Sequence, residues 1–432
     1  MDIDNSEITL LCKVVDNYGD IGVVYRLAKA ISKLLPSGGA GLRLIVDNLA
    51  SFAQLSPGVD VTKPVQQHKG WTVCQWDAAQ EGRALYEQTP PLVIVECFAC
   101  GRPEWLDDML FDKRLQALRR KPVQIINLEY LTAEPYADEF HKLQSLTRSA
   151  QVRKVNFMPG FTDKTGGLIL DAETDIFDDV PVLCDGTSKQ SNSAGTAGAG
   201  ETAANAASAE KSFTFLIFSY ERDFSTIAAS LAEFAQNAAL TEGRKKIRIL
   251  VAAGKSEEPF KSAWNVCADR EPPNKTPTGK ANSPTSGNTP LPEPETLPFL
   301  PQEKWDSLLY TADFLFIRGE DSLSRACLSG KPFVWHAYPQ TEMYHLVKVQ
   351  ALLDRMKPFF SDENFRLISD YWLWYNGDEN FATNGTYDSR AALIEILSRY
   401  DEIRESFFAL SKSLIKNGNL AEHLMTFISE IV

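Results

Sequence analysis

The stretch Ile8-Thr9-Leu10-Leu11-Cys12-Lys13-Val14-Val15-Asp16-Asn17-Tyr18-Gly19-Asp20-Ile21-Gly22 decides how the chain reads. An apolar run ends at Val15, and a helical pattern begins near Val23. Between them lie two carboxylates four residues apart, separated by Asn, Tyr and Gly. That pattern marks the handover from a first strand to a first helix. In open α/β sheets, ligands bind beyond the carboxyl ends of the strands at such handovers. Conformational freedom at Gly19 and Gly22 would bring the backbone close to a bound group.

Outward from this turn, short runs rich in Val, Ile and Leu recur as buried parallel strands do. They fall at Thr9–Val15, Leu42–Val46, Leu92–Cys97 and Val123–Leu128. Val23–Leu35 places Val23, Leu27, Ala30, Ile31 and Leu34 on one helical face. Asp107–Arg120 reads as a second helix, closed by Pro122. This alternation predicts an α/β, doubly wound N-terminal domain over residues 1–183. Glu129 in Asn127-Leu128-Glu129-Tyr130-Leu131 stands at a strand end, as a candidate site residue or as an acceptor for loop backbone. Phe157-Met158-Pro159-Gly160-Phe161 and Gly166-Gly167 form a turn-rich segment suited to lining an interdomain cleft.

From Cys184 to Ser212 the composition collapses to Ala, Gly, Ser, Thr and Asn. Such a segment buries too little apolar surface to offset its ordering entropy, so 184–212 reads as a disordered linker. The second domain, 213–432, opens with the strand Phe213–Phe218, the helix Phe224–Asn237 and the strand Ile247–Val251. A stretch rich in Pro, Thr, Asn and Lys, 257–298, reads as a mobile insert within it. The tail is helical: Ala391–Ile415, a stop at Asn417-Gly418, and a last helix at Ala421–Ile431.

Composition narrows the function. The chain has 432 residues, 44% of them hydrophobic and 10% aromatic, which suits a soluble two-domain protein. A formal net charge of −13 argues against general nucleic-acid binding, which needs a clustered basic footprint. Seven scattered cysteines suit reduced thiols, and Cys97-Phe98-Ala99-Cys100 reads as small buried residues at a strand end. The acidic start and the absence of a long apolar run predict a cytoplasmic protein with no membrane partner.

The second informative stretch is Phe314-Leu315-Phe316-Ile317-Arg318-Gly319-Glu320-Asp321-Ser322. A strand stops at Arg318, Gly319 allows a tight turn, and Asp321-Ser322 starts a helix. A helix N-terminus offers unpaired N–H groups and a positive dipole end, and Arg318 adds a bidentate cation. Together they suit a diphosphate. Glu320 and Asp321 oppose an anion unless they hold sugar hydroxyls or cap the helix. The plainer alternative makes Asp321 or Ser322 a cap and Arg318 a surface ion pair. Phe218 and Tyr220 end one strand, and Trp305 follows Gln302; aromatic faces on either side of a cleft can sandwich a base. His336 stands at another strand end, either reaching the cleft or satisfied structurally. No GxGxxG follows any strand, which favours a sugar-nucleotide enzyme over a dehydrogenase.

Four motifs in order carry a resemblance to a known family. They are Val15-Asp16-Asn17-Tyr18-Gly19-Asp20-Ile21-Gly22; Asn127-Leu128-Glu129-Tyr130-Leu131; Pro159-Gly160-Phe161 with Lys164-Thr165-Gly166-Gly167; and Arg318-Gly319-Glu320-Asp321-Ser322. The sequence resembles the bacterial protein-arginine rhamnosyltransferases (EarP), from about residue 8 to the C-terminal helices. The resemblance implies a GT-B fold and an inverting transfer of rhamnose from dTDP-β-L-rhamnose to an arginine of elongation factor P. It implies Asp20 as base, Asp16 beside it and Glu320 as a further essential carboxylate. Donor contacts fall to Asn17, Tyr18, Gly19, Tyr220, Gln302, Arg318, Gly319, Asp321 and Ser322, with Phe218 and Trp305 around the thymine. No cofactor or metal is expected, because Arg318 and the helix N-terminus meet the charge of the leaving diphosphate. Two other readings fit the residues: another GT-B enzyme, an epimerase or a small-glycan transferase, and a non-catalytic module that binds dTDP sugars.

Overall fold

The computed structural model describes residues 7–14, 18–35, 41–170, 212–237, 246–269, 290–378 and 387–432. Asp16, Asn17 and nearly all of the 184–212 linker lie outside these residues.

The first domain is built on an eight-stranded sheet. Its strands are β1 (Glu7–Cys12), β2 (Leu42–Val46), β3 (Val65–His68), β4 (Trp71–Gln75), β5 (Pro91–Cys97), β6 (Val123–Leu128), β7 (Gln144–Ser145) and β8 (Val152–Phe157). Their spatial order is β3-β4-β2-β1-β5-β6-β8-β7. The interior pairs are parallel, and β3 and β7 are antiparallel edges. All six residues of β1 and of β6 are buried, as expected where helices cover both faces. The helix α1 (Gly19–Leu34) follows β1. It begins four residues before the expected Val23, which moves Asp20 from the loop into the first helical turn.

The second domain carries a parallel sheet of β9 (Ser212–Ile217), β10 (Lys246–Ala252), β11 (Glu295–Leu297), β12 (Phe314–Arg318) and β13 (Phe333–His336). Their order is β11-β10-β9-β12-β13. Strand order reverses between β1 and β5 in the first sheet and between β9 and β12 in the second. At such switch points the loops leave in opposite directions and open a crevice at the carboxyl ends. Asp20 follows β1 and Arg318-Gly319-Glu320 ends β12, so the two motifs singled out in the sequence stand at the two switch points.

Several expected elements differ. Part of the 257–298 stretch is ordered: Glu257–Ala268 is a helix whose Phe260 and Trp264 are buried, and β11 adds an edge to β10. Those two aromatics supply the burial that the polar composition around them lacks; residues 270–289 lie outside the described residues. The expected helix Asp107–Arg120 is two, Glu104–Phe111 and Lys113–Leu118, because Asp112 leaves the helical region (ψ 121°) and caps the second. Ala391–Ile415 is likewise split, into Ser389–Ser398 and Tyr400–Lys416.

The largest difference concerns the tail. The last helix, Leu420–Ile431, buries Leu420, Leu424, Met425 and Ile428 in the first domain's core, beside Val24 and Ile31 of α1. It completes the first domain instead of the second. The chain crosses over at Gly166-Gly167, where Leu420 N–H donates to the Leu168 carbonyl at 2.8 Å and Asn417 Nδ2 donates to the Phe161 carbonyl at 3.0 Å. Gly167 has φ +79°, and a Cβ there would sit 2.8 Å from the Gly418 carbonyl oxygen. The turn-rich segment is therefore a crossing point between two backbones.

This geometry predicts that Gly167→Ala destabilises the protein by about 1–3 kcal/mol, from backbone strain plus an overlap that the backbone cannot relieve. Gly70→Ala, at φ +83° with no neighbour within 4 Å, is the control and should cost less. Equal shifts of the two variants in urea unfolding would show that the crossing is not tight.

Candidate active site

A cleft of about 340 Å³ lies between the domains. The first domain lines it with Gly19, Asp20, Phe98 and Tyr130; the second adds Tyr220, Gly319, Glu320, Asp321, Tyr338 and Lys348. Asp20 is 3% exposed, and the Tyr130 hydroxyl donates to its Oδ1 at 3.1 Å. Burial, and after it the charges of Asp20 and Glu320, push the Tyr130 phenol far above its usual range, so it remains a donor. The Tyr130 ring stacks on Phe98 with centroids 4.4 Å apart and planes 17° off parallel. Phe98 and Ala99 both hold positive φ, 62° and 50°. Strain of this kind costs about 1–3 kcal/mol per residue and clusters at functional sites. The CxxC stretch thus has a role besides burial: its middle residues turn sharply to set Phe98 beneath Tyr130. Its thiols are inert, with burial pushing Cys100 up to about 12.

Across the cleft, Gly319 holds φ +71° and ψ 175°, a conformation open to glycine, and starts the helix Glu320–Ser329 without a side-chain cap. Neither Asp321 nor Ser322 caps it, so the plainer reading of these residues fails. The backbone N–H groups of its first turn are those that a diphosphate would use. The Arg318 guanidinium lies over the rings of Phe218 at 4.7 Å and Tyr220 at 4.8 Å. Glu320 approaches Lys348 at 3.9 Å.

Other predicted residues have different surroundings. Asp321 Oδ1 accepts from Arg26 Nε at 2.9 Å, while Asp306 accepts from Arg26 Nη1 and Nη2 at 2.6 and 2.8 Å. Arg26 is 2% exposed and comes from α1. Burial alone would lower its pKa, but the two carboxylates outweigh it and raise it well above the ordinary value. Gln302 is also buried and donates to the Gly22 carbonyl at 2.8 Å. A Cβ on Gly22 would lie 3.7 Å from both Asp321 Oδ2 and Gln302 Nε2. Those are ordinary van der Waals distances, and Gly22 lies inside α1, whereas conformational freedom was expected there.

Tyr18 packs on Phe299 with centroids 4.5 Å apart and donates to Gln54 Oε1 at 2.7 Å. Phe218 and Trp305 meet edge to face, 4.8 Å between centroids, and Trp305 Nε1 donates to Ser322 Oγ at 3.2 Å. A base stacked on both rings needs parallel faces about 7 Å apart, two contacts of roughly 3.5 Å. The rings must part to admit one. His336 is structural: it is buried, bonded to Ser219 Oγ at 2.8 Å, and burial lowers its pKa to about 3. Glu129 accepts from Asn127 Nδ2. Sequence reasoning missed Arg26, Asp306, Tyr130 and Phe98. Two of these, Tyr130 and Phe98, stood in motifs already singled out.

Two α/β domains facing across a cleft, with Asp20 on one side and Glu320 at a helix N-terminus on the other, define a GT-B glycosyltransferase. Comparison with known proteins narrows the class. Residues 8–429 match the family described as Elongation-Factor P (EF-P) rhamnosyltransferase EarP, and the chain belongs to that family. It is 32% identical over 373 residues to the protein-arginine rhamnosyltransferase of Pseudomonas putida, covering 85% of this chain and 86% of that protein. It is 29% identical over 426 residues to that of Neisseria meningitidis serogroup B, covering 98% and 96%. A solved structure described as the structural basis for EarP-mediated arginine glycosylation of translation elongation factor EF-P superposes with a TM-score of 0.53 at 20% identity, covering 98% of this chain and 99% of that one. Among the described residues no helix is long and apolar enough to cross a membrane.

The buried ion cluster yields a prediction. Removing one partner of a buried pair strands the other's charge, at about 3–5 kcal/mol. Arg26→Leu should lose that much stability in chemical denaturation. A loss below about 1 kcal/mol, the level of an exposed pair, would show that the cluster is solvated.

Proposed function

We propose that this protein transfers L-rhamnose from dTDP-β-L-rhamnose to an arginine side chain of elongation factor P, with inversion at the anomeric carbon. The observation that carries this reading is the cleft itself, where buried Asp20 from the first domain and Glu320 beside the uncapped helix from the second line one space. A translation factor as acceptor puts the reaction in the cytoplasm.

Chemistry accounts for the residues. A guanidinium stays protonated in proteins, and its nitrogen lone pairs are delocalised. A carboxylate that grips it can orient one nitrogen toward the anomeric carbon and localise the charge on the others. The nitrogen–carbon bond forms as the bond from carbon to the dTDP oxygen breaks. Asp20 takes the proton lost by the attacking nitrogen, and the electron pair leaves with the diphosphate. Base and leaving group must lie on opposite faces of the sugar for inversion, which Asp20 on one wall and the Gly319–Glu320 helix start on the other would allow. Asp16 in the same sequence motif would hold the acceptor beside Asp20. Developing charge on dTDP would be met by Arg318 and the first-turn N–H groups of Glu320–Ser329. Gln302, Trp305 and Tyr18 now contact protein partners, so their service to the donor requires those contacts to be exchanged.

Incubation with dTDP-rhamnose and elongation factor P, followed by mass spectrometry, should place one deoxyhexose on one arginine. Sugar released from donor alone would favour an epimerase or hydrolase; unmodified protein with bound donor would favour a sensor. Asp20→Asn should lower transfer by about 100-fold or more, the ordinary worth of a general base. Near-normal transfer by that variant would remove Asp20 from the role. Arg318→Ala should weaken dTDP-rhamnose binding by roughly 10–100-fold in calorimetry, and unchanged affinity would remove the diphosphate contact.

A further inference from the structure

We propose that Tyr130 is a positioning residue for the transfer, its hydroxyl fixing the orientation of the Asp20 carboxylate and its ring seated on Phe98 to hold that hydroxyl in place. The inference rests on the function proposed above.

A carboxylate that must grip a planar guanidinium has to hold its own plane, and rotation about the bond to its β-carbon would lose the bidentate contact. Asp20 lies in the first turn of α1, where the backbone fixes its Cβ but leaves that rotation open. The Tyr130 hydroxyl engages Oδ1 at 3.1 Å and restricts it. Tyr130 itself follows β6 on a loop and is 36% exposed, so its position needs its own support. The stack with Phe98 supplies it, and Phe98 is fixed in turn by its N–H donating to the Leu128 carbonyl at 2.6 Å. The strained backbone at Phe98-Ala99 accompanies this placement, in which the Phe98 ring borders the core and stacks on Tyr130. Three strand ends, those of β1, β5 and β6, thereby converge on one carboxylate. Titratable neighbours of Asp20 include the Tyr130 hydroxyl and the buried thiols of Cys12 and Cys97, which feel its charge, and Glu320 lines the same cleft. Tyr130 remains protonated and donates to Asp20.

The test is Tyr130→Phe, which keeps the ring and its stack and removes one oxygen. Wild type and variant are assayed as full chains with dTDP-rhamnose and elongation factor P. The expected result is a fall in kcat on the order of 10-fold, the worth of one hydrogen bond to a charged group, with the donor KM and melting temperature little changed. The acid limb of the pH–rate profile should move to higher pH, because a carboxylate that loses a donor is more easily protonated. Phe98→Leu, which loosens the seat, should lower kcat in the same direction by a smaller factor. Wild-type kcat and pH profile in Tyr130→Phe would overturn the proposal. So would a lowered kcat with an unmoved pH profile and a lowered melting temperature, the signature of a purely structural tyrosine. If wild type itself transferred no deoxyhexose to elongation factor P, the functional reading would fail first and this proposal with it.

Discussion

Arg26 sets the frame on which the site is built. Its guanidinium is taken out of water between Asp306 and Asp321, both from the opposite domain. A cation so deeply buried is tolerable only when its donors are satisfied, and the planar fork leaves little freedom in how they are satisfied. The contact therefore fixes α1 in both distance and rotation against the start of the helix Glu320–Ser329. Asp20 stands six residues before Arg26 on α1, and Glu320 is next to Asp321. One buried cluster thus sets how the two walls of the cleft face each other. Gln302 adds a second tie between the same domains with its bond to the Gly22 carbonyl.

The same cluster shows how residue type misleads when the partner is unseen. Asp321 beside an anion site looked misplaced in the sequence, and sugar hydroxyls or helix capping were the available explanations. Its partner is an arginine 295 residues away in the chain. Local pattern carries no information on such a pairing, because helix periodicity marks Arg26 only as one more residue of α1. The Phe218–Trp305 pair makes a related point: each aromatic stood at the expected strand end or helix start, while their mutual angle depends on packing between elements.

What could be read locally was read well. Leu42–Val46, Val123–Leu128 and Phe314–Arg318 are strands at the expected residues, since buried parallel strands are short apolar runs with sharp ends. The edge strand Val65-Gln66-Gln67-His68 went unread because it lacks that signature, being half polar and paired on one side. The turn after β1 was singled out by its carboxylates and glycines, and Asp20 from it lines the cleft. Its immediate support was harder to see. Tyr130 and Phe98 come from two other loops, and they meet Asp20 because the switch-point topology brings those loops together. Domain membership of the tail was also beyond local pattern: Leu420–Ile431 is amphipathic whichever core it covers.

That last helix has a consequence for how the protein is made. The first domain's core includes residues near both ends of the described chain, with the whole second domain synthesised in between. Until Leu420–Ile431 leaves the ribosome, the face of α1 that it covers has no partner. At about 5–20 residues per second, the roughly 260 residues after Gly166-Gly167 take on the order of 10–50 s to translate. The second domain, continuous in sequence, can close during that interval. The first domain, begun earlier, must finish later, so the Asp20 wall of the cleft matures against a Glu320 wall already in place.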